Sequence, residues 1–408
     1  MRRQVVGVSI LFGTFAFIQG IGEPTTGLTT QPTFSLLKAW GCDARDTATF
    51  LALLGGPWCL KPLYGLLSDF VPLAGYRRKS YLAVAAIAAT LCFLGLYALP
   101  LSAGARNVLF AALFLPTLAI TVSDVVLDAL LIETGQSLSI TGRLQSVCAG
   151  AGYAATLLTG VWGGALSEEH HQQLGFLACG LLMGLTLLLT IFYVREPRAE
   201  KRPTTGPSAG QTLLAAFRSP GLWAVSSFLF AWHFNPFSQS VLYSYMTGPL
   251  EMSEKAYGHT VSLMAVGAIA ACVTYGLYCR RLPMAWLLPG SIVWGVASTL
   301  TYWPLVQGNN APWISLFAGF SYMTGSMITL DLAARACPLQ AAGTVFALLM
   351  AVCNLSTSLS TWVGGYCYEE CLQAWGASGG LAILLVTSAA FTLCSWFAIR
   401  RLPRELLV

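Results

Sequence analysis

Charge is what this chain has little of. Asp, Glu, Lys and Arg make up only 10% of its 408 residues, while hydrophobic residues make up 56%. Soluble domains carry about 25% charged residues, so a water-facing globular body of this length is excluded. Polar sequence is scarce too, with one long polar stretch, at 195–218, interrupting the apolar runs. Those runs do not alternate, which excludes barrel strands and leaves helices as the structure that satisfies backbone groups in lipid. Cys-x-x-Cys pairs are missing. The 12 cysteines are scattered and read as small core hydrophobes, and Cys367 and Cys371, in a polar loop, are not expected to pair or to bind a metal. There is no Gly-x-x-x-x-Gly-Lys-Ser/Thr phosphate loop and no His-Glu-x-x-His, and His170-His171 lack a third ligand. An enzyme, a cofactor and a metal site are therefore not expected. Met-Arg-Arg feeds directly into an apolar run with no small-residue cleavage site, so no removable leader is expected. The net charge of +5 is a topology signal rather than a nucleic-acid signal, because the basic residues fall in short loops.

With about 20 apolar residues per crossing, the runs place spans near 8–38, 47–68, 79–101, 106–133, 143–166 and 173–194. A second set falls near 219–247, 256–279, 284–304, 313–336, 342–366 and 375–399. The fold class is thus an all-α membrane protein with twelve transmembrane helices. Gly20-Ile-Gly22-Glu23-Pro24-Thr-Thr-Gly27 predicts a kink in span 1, because Pro24 removes a backbone bond and the glycines loosen the turn. Sixteen basic residues fall on one side (among them Arg2, Arg3, Arg77, Arg78, Lys79, Arg143 and Arg195) and four on the other, Lys38, Arg45, Arg106 and Lys255. That bias puts both termini in the cytoplasm. The short loops lean towards a multi-pass protein of a bacterial inner membrane, acting as a monomer.

The polar stretch 195–218 divides the chain into an N-terminal six-helix bundle (1–194), a cytoplasmic linker and a C-terminal six-helix bundle (219–408). Spans 5 and 11 read as copies of one unit. Gly142 precedes Gly163-Gly164 and Glu168-Glu169, and Gly343 precedes Gly364-Gly365 and Glu369-Glu370, at a constant offset of 201. Parallel halves of this kind fit transporters that hold substrate between them at mid-membrane.

A charge at the bilayer centre costs at least about 2.5–3.5 kcal/mol on insertion scales, so each one needs a reason. Asp124 and Asp128 share one face of span 4. Like charges so close in low dielectric favour a carboxylate that keeps its proton and carries it, and structural pairing with Lys61 or Arg143 is the plainer use. Lys61 lies roughly 12 Å from Asp69 along a helix, near the limit of snorkelling. Its candidate partners are Asp124, Asp128 and a substrate carboxylate. Asp331 and Arg335 stand one turn apart in span 10. An internal salt bridge is the bland reading, while proton coupling at Asp331 and an anionic substrate on Arg335 make the sharper one. Glu23, among Gln19, Thr25, Thr26, Thr29 and Gln31, can accept two bonds from a flat amidine-like edge or simply fill the kink. His233, beside Pro236, suits a substrate cavity or a core contact. Trp58, Trp232, Phe234 and Tyr243 can stack on a heteroaromatic ring or pack. Asn354 must find a polar partner inside the bundle. Asp69, across a basic turn from Arg77 and Arg78, forms a candidate gate with Arg143.

Three blocks together resemble the folate-biopterin transporter family of the major facilitators. The first is Pro57-Trp58-Cys-Leu-Lys61-Pro62-Leu-Tyr-Gly65-Leu-Leu-Ser68-Asp69, followed by Val71-Pro72 and Gly75-Tyr76-Arg77-Arg78. The second is Asp124-Val-Val-Leu-Asp128-Ala with Gly142-Arg143-Leu-Gln145-Ser146, and the third runs from Gly343-Thr-Val-Phe346 to Asn354-Leu-Ser. The resemblance implies two pseudo-symmetric bundles, alternating access and proton-driven uptake of folates or pterins, with transport roles for Lys61, Asp124, Asp128 and Arg143. The expected partners are a small-molecule substrate, protons and the lipid bilayer. Glu23-Pro24 and His233 are not tied to the family pattern. A facilitator of another bulky solute (muropeptide, siderophore or nucleoside-like) and a non-transporting sensor on the same fold are the alternatives.

Overall fold

The structure describes residues 2–100, 102–138, 140–196, 198, 219–278, 281–305, 310–337 and 342–406. In this computed structural model the described residues are helical apart from turns and one isolated bridge between Leu73 and Tyr76. Span 1 is two helices, α1 (Arg2–Gly22) and α2 (Thr30–Ala39), so the expected kink is a full break. Pro24 has no N–H to continue the ladder. The turn closes on itself instead, through Gly27 N–H to the Glu23 carbonyl at 2.7 Å and Leu28 N–H to the Ile21 carbonyl at 2.8 Å. A Cβ on Gly27 would overlap the carbonyls of Ile21 and Glu23, so the turn needs glycine there.

Span 2 is also divided, into α3 (Ala44–Leu54), a 3-10 turn at Gly56–Leu60 and α4 (Lys61–Phe70). Asp43 caps α3 by accepting the Asp46 N–H at 2.7 Å, which satisfies a backbone donor left open at the helix start. Four single helices follow: α5 (Lys79–Ala98), α6 (Arg106–Leu138), α7 (Thr141–Glu168) and α8 (Gln172–Tyr193). Of the linker expected at 195–218, residue 197 and residues 199–218 lie outside the described residues.

Span 7 repeats the division of span 1, as α9 (Pro220–His233) and α10 (Gln239–Thr247). Its break at Pro236 is stitched by side chains. Asn235 Nδ2 donates to Thr299 Oγ1 at 3.0 Å, and the Phe237 N–H donates to Ser388 Oγ at 2.8 Å. Then come α11 (Glu254–Tyr278), α12 (Met284–Leu300), α13 (Ala311–Arg335) and the long run α14 (Ala342–Ile399). Gly376 interrupts α14 with φ +71°, a conformation that glycine adopts without strain. Gly380 lies against the backbone of Leu372, so the chain turns back there.

The chain forms two compact units, Met1–Trp40 with Leu60–Gly206, and Gly41–Cys59 with Pro207–Val408. Within the first, α5 packs on α6 and α8, and α1 packs on α7. Within the second, α13 packs on α11 and α12, and α14 packs on α9 and α3. The 201-residue offset has a physical counterpart inside each unit. Gly163 of α7 faces the Leu28 carbonyl in the break of span 1, and Gly364 of α14 faces the Pro236 carbonyl in the break of span 7. Each unit thus seats its broken helix on a glycine of the duplicated pair.

Large apolar side chains cover the exterior, including Phe192 (71% exposed), Leu277 (70%), Trp286 (76%) and Trp313 (75%). Seven runs among the described residues are long and apolar enough to cross a membrane. Such a surface is stable against lipid and not against water.

Candidate functional site

The first unit gathers charge around Lys61, the first residue of α4. Its Nζ lies 2.6 Å from Asp124 Oδ2 on α6, with the two side chains 16% and 28% exposed. Gly65, one turn further along α4, faces Val125 of α6 at ordinary van der Waals distance. Asp128 and Glu23 lie within electrostatic reach of the same ammonium. Among the described residues, three carboxylates lie in the field of this one cation, Glu23 buried, Asp124 half-buried and Asp128 exposed.

Glu23 is 5% exposed and stands in the break of span 1. One carboxylate oxygen accepts from the Thr25 hydroxyl at 2.9 Å and from the Thr25 N–H at 3.3 Å. Close by in the chain, Gln19 Nε2, Thr29 Oγ1 and Thr33 Oγ1 are buried with no hydrogen-bond partner among the described residues. Unsatisfied buried polar atoms cost about 1–3 kcal/mol each. Between α1 and α7 runs a groove of about 440 Å³, lined by Val6, Ile10, Phe17 and Val147 with the hydroxyls of Ser9 and Thr14. It is apolar and separate from the charged cluster.

The basic turn after α4 is braced from two directions. Arg78, 5% exposed, donates to Ser68 Oγ at 2.6 Å and lies 3.6 Å from Glu133. Glu196, just past α8, accepts the backbone N–H groups of Arg77 at 3.0 Å, Arg78 at 3.0 Å and Lys79 at 2.8 Å. A carboxylate on the open N–H groups of a helix start is favoured by hydrogen bonding and by the helix dipole together. Sequence reasoning missed Glu196 and Ser68. A lone acid between the end of span 6 and Pro197, amid basic residues, was the available signal. The side chains of Asp69 and Arg143 lie outside the described residues.

The second unit holds the remaining candidates. Asp331 and Arg335 meet within α13 at 3.4 Å, and Tyr275 donates to Asp331 at 3.2 Å. His233 Nδ1 is 3.0 Å from the Leu229 carbonyl, and its ring stands edge-on to Trp232 at 4.8 Å. Trp232 itself is a core residue, its Nε1 donating to the Ser291 carbonyl at 3.1 Å. Asn354 Nδ2 donates to the Trp58 carbonyl at 3.1 Å. That bond is the bundle partner the amide required.

The BT1 family model matches residues 19–397. A folate-biopterin transporter of Synechocystis sp. is 30% identical over 362 residues, covering 85% of this chain and 72% of the relative. A probable chloroplastic folate-biopterin transporter of Arabidopsis thaliana is 25% identical, covering 88% and 69%. Among solved structures, a D-xylose-proton symporter superposes with a TM-score of 0.75 at 14% identity over 98% of each chain. A nucleoside transporter superposes at 0.73 and 13%, over 96% of this chain and 98% of its own. Those structures carry the major-facilitator fold. The chain belongs to the BT1 family and is an integral, multi-pass membrane transporter of that fold, not an enzyme.

Proposed function

We propose that the protein carries folate- or pterin-type organic anions across the membrane together with protons, by alternating access. The observation that carries this reading is the 2.6 Å Lys61–Asp124 pair with Asp128 and Glu23 in its field. A proton neutralises part of the surplus negative charge, and an anionic substrate engages the lysine once Asp124 releases it. Glu23, with the buried Gln19, Thr29 and Thr33 beside it, suits the flat N–H/NH2 edge of a pteridine, which offers two donors to one carboxylate. The names of the relatives support the same substrate class. In this reading the Asp69, Arg77, Arg78 and Arg143 region is the inner gate, and Arg78 and Glu196 keep its turn rigid. The charge bias of the loops supports cytoplasmic termini. The protein works as a monomer in a bacterial inner membrane.

The test is uptake of labelled folic acid into proteoliposomes with and without an imposed proton gradient. Gradient-driven accumulation is expected, and it is lost in Asp124→Asn and in Asp128→Asn. Uptake that ignores the gradient, or that survives unchanged in both variants, refutes the coupling.

A further inference from the structure

The second unit carries a groove of about 340 Å³ between α11, α12 and α13. Phe320, Thr324 and Ile328 of α13 lie along it, with Tyr278 of α11 and Gly290 and Trp294 of α12 beside them. Trp294 stands edge-on to Phe320 at 5.7 Å, which ties α12 to α13. Gly290 keeps the groove open, since a Cβ there would meet nothing within 4 Å. Thr324 spends its hydroxyl on the Phe320 carbonyl at 2.7 Å, and Thr274, also on the groove, donates to Ala270 and Ala271 at 3.0 Å. Satisfied within their own helices, neither hydroxyl calls for a polar guest. Leu277 of α11 and Val293 of α12, on the flanking helices, are exposed, so the groove opens on a surface that suits lipid.

One end of the groove is basic. Arg281 lies in the turn between the lining residues Tyr278 and Leu282, with its N–H on the Tyr278 carbonyl at 2.9 Å. Its side chain is exposed, and it forms no ion pair among the described residues. Helix α12 starts three residues on, at Met284, with no side-chain cap. Its first N–H groups and its dipole therefore favour an anion at the same end. Trp286, in the first turn of α12 and on the groove, is the amphipathic ring that a headgroup boundary favours.

We propose that this groove binds one anionic phospholipid, an acyl chain lying along Gly290 with the phosphate held at Arg281 and the start of α12. An unfilled groove forfeits dispersion contacts along its walls, and in a bilayer the flexible group at hand to supply them is an acyl chain. A basic group at the end of an apolar cleft between helices selects a negatively charged headgroup over a zwitterionic one. All the residues of the site belong to one compact unit. Lipid binding there needs neither a particular substrate nor proton coupling.

The test is native mass spectrometry of the full-length protein in detergent, equilibrated with equal amounts of phosphatidylglycerol and phosphatidylcholine. One retained phosphatidylglycerol is expected, bound about fivefold better than phosphatidylcholine, as for one arginine at a headgroup. Arg281→Gln is expected to lose most of that preference. Gly290→Leu, which fills the groove, is expected to lose the retained lipid of either kind. Equal retention of the two lipids by the wild type marks annular lipid only and overturns the proposal. An unchanged preference in Arg281→Gln, or unchanged retention in Gly290→Leu, overturns it as well. So does a dimer, rather than a lipid, that Gly290→Leu disperses, because the groove then belongs to a second copy of the chain. Should Gly290→Leu not fold, the wild type decides in vesicles of phosphatidylglycerol that carries a diazirine on its acyl chain. Labelling concentrated on residues 274–294 and 320–328 supports the site, and labelling spread evenly over the exposed apolar surface overturns it.

Discussion

Removing Lys61 is expected to harm the protein more than removing its partner does, and the reason is a count of charges. Among the described residues Lys61 is the one cation in the field of three carboxylates, so Lys61→Met takes from Asp124 a 2.6 Å partner and leaves it facing Asp128 and Glu23. Asp124→Asn leaves Lys61 with two carboxylates still in its field. Breaking a fully buried pair by removing one member costs about 3–5 kcal/mol. The side chains here keep 16% and 28% of their exposure, so solvent screening lowers that to roughly 2–3 kcal/mol for Lys61→Met. The residual attraction brings Asp124→Asn to roughly 1–2 kcal/mol. In a unit of this size 1 kcal/mol moves the melting temperature by about 2–4 °C. Thermal unfolding of the purified protein in detergent at neutral pH reads the difference. The double variant Lys61→Met/Asp124→Asn is expected to melt above Lys61→Met alone, because it withdraws the stranded carboxylate. Lowering the pH is expected to narrow the gap between Lys61→Met and wild type as the carboxylates take up protons. An Asp124→Asn variant that melts lower than Lys61→Met, or strictly additive effects in the double variant, refutes the shared-cation account.

Three smaller outcomes follow from the same geometry. Glu196→Gln keeps the shape but loses the charge on three N–H groups at the start of α5, and is expected to cost roughly 1–2 kcal/mol. Limited proteolysis of the 71–78 turn, faster in the variant, checks it. Gly364→Ala places a methyl onto the Pro236 carbonyl and is expected to cost about 1–3 kcal/mol of overpacking, whereas Gly163→Ala meets the Leu28 carbonyl only at 3.4 Å and costs less. The yield of folded protein on size-exclusion chromatography should rank them in that order. Asp331→Asn breaks a pair whose members are 29% and 37% exposed, so its thermal cost should stay below about 1 kcal/mol, well short of Lys61→Met.

How far the sequence could be read depended on the range of the interaction. Apolar runs and the Pro24-Thr-Thr-Gly27 break are local, and the helices α1 to α14 fall on the expected spans. The Asp331–Arg335 bond follows from helical spacing alone. Span 7 is one run, 219–247, with a proline break beside His233, and the sequence does not say what stitches that break. A proline kinks or breaks a helix according to what meets the freed backbone, and here those partners are Thr299 and Ser388, far away in the chain. The partner of Lys61 was narrowed to Asp124, Asp128 or a substrate carboxylate, since burial demands a counter-charge without saying which. Glu196 was missed because its partners are backbone N–H donors 117–119 residues away, which leave no trace in side-chain type, so its place as a lone acid among basic residues was the one signal. Asn354 calls for a polar partner, but nothing local names the Trp58 carbonyl, 296 residues away, as the group that accepts it.

The two units share a frame and differ in chemistry, and that difference bears on where coupling resides. Each has a broken helix whose proline turn rests on a duplicated glycine, Gly163 in one and Gly364 in the other. The duplication therefore preserved the bend, a backbone property that a glycine and a proline suffice to encode. Charge was not preserved with it. The first unit places Glu23 in its break and brings Lys61, Asp124 and Asp128 to it from two other helices, leaving negative charge in excess. At the corresponding break the second unit has Asn235, which is neutral and spends its amide on Thr299. Its acidic and basic pair, Asp331 and Arg335, balances within one turn of α13. A balanced pair has no need of a proton, whereas an unbalanced cluster in low dielectric changes its energy steeply with each proton gained or lost. If protons drive this transporter, the first unit is where they act. Neutralising Asp331 should then leave the gradient dependence of folate uptake intact, while neutralising Asp128 should remove it.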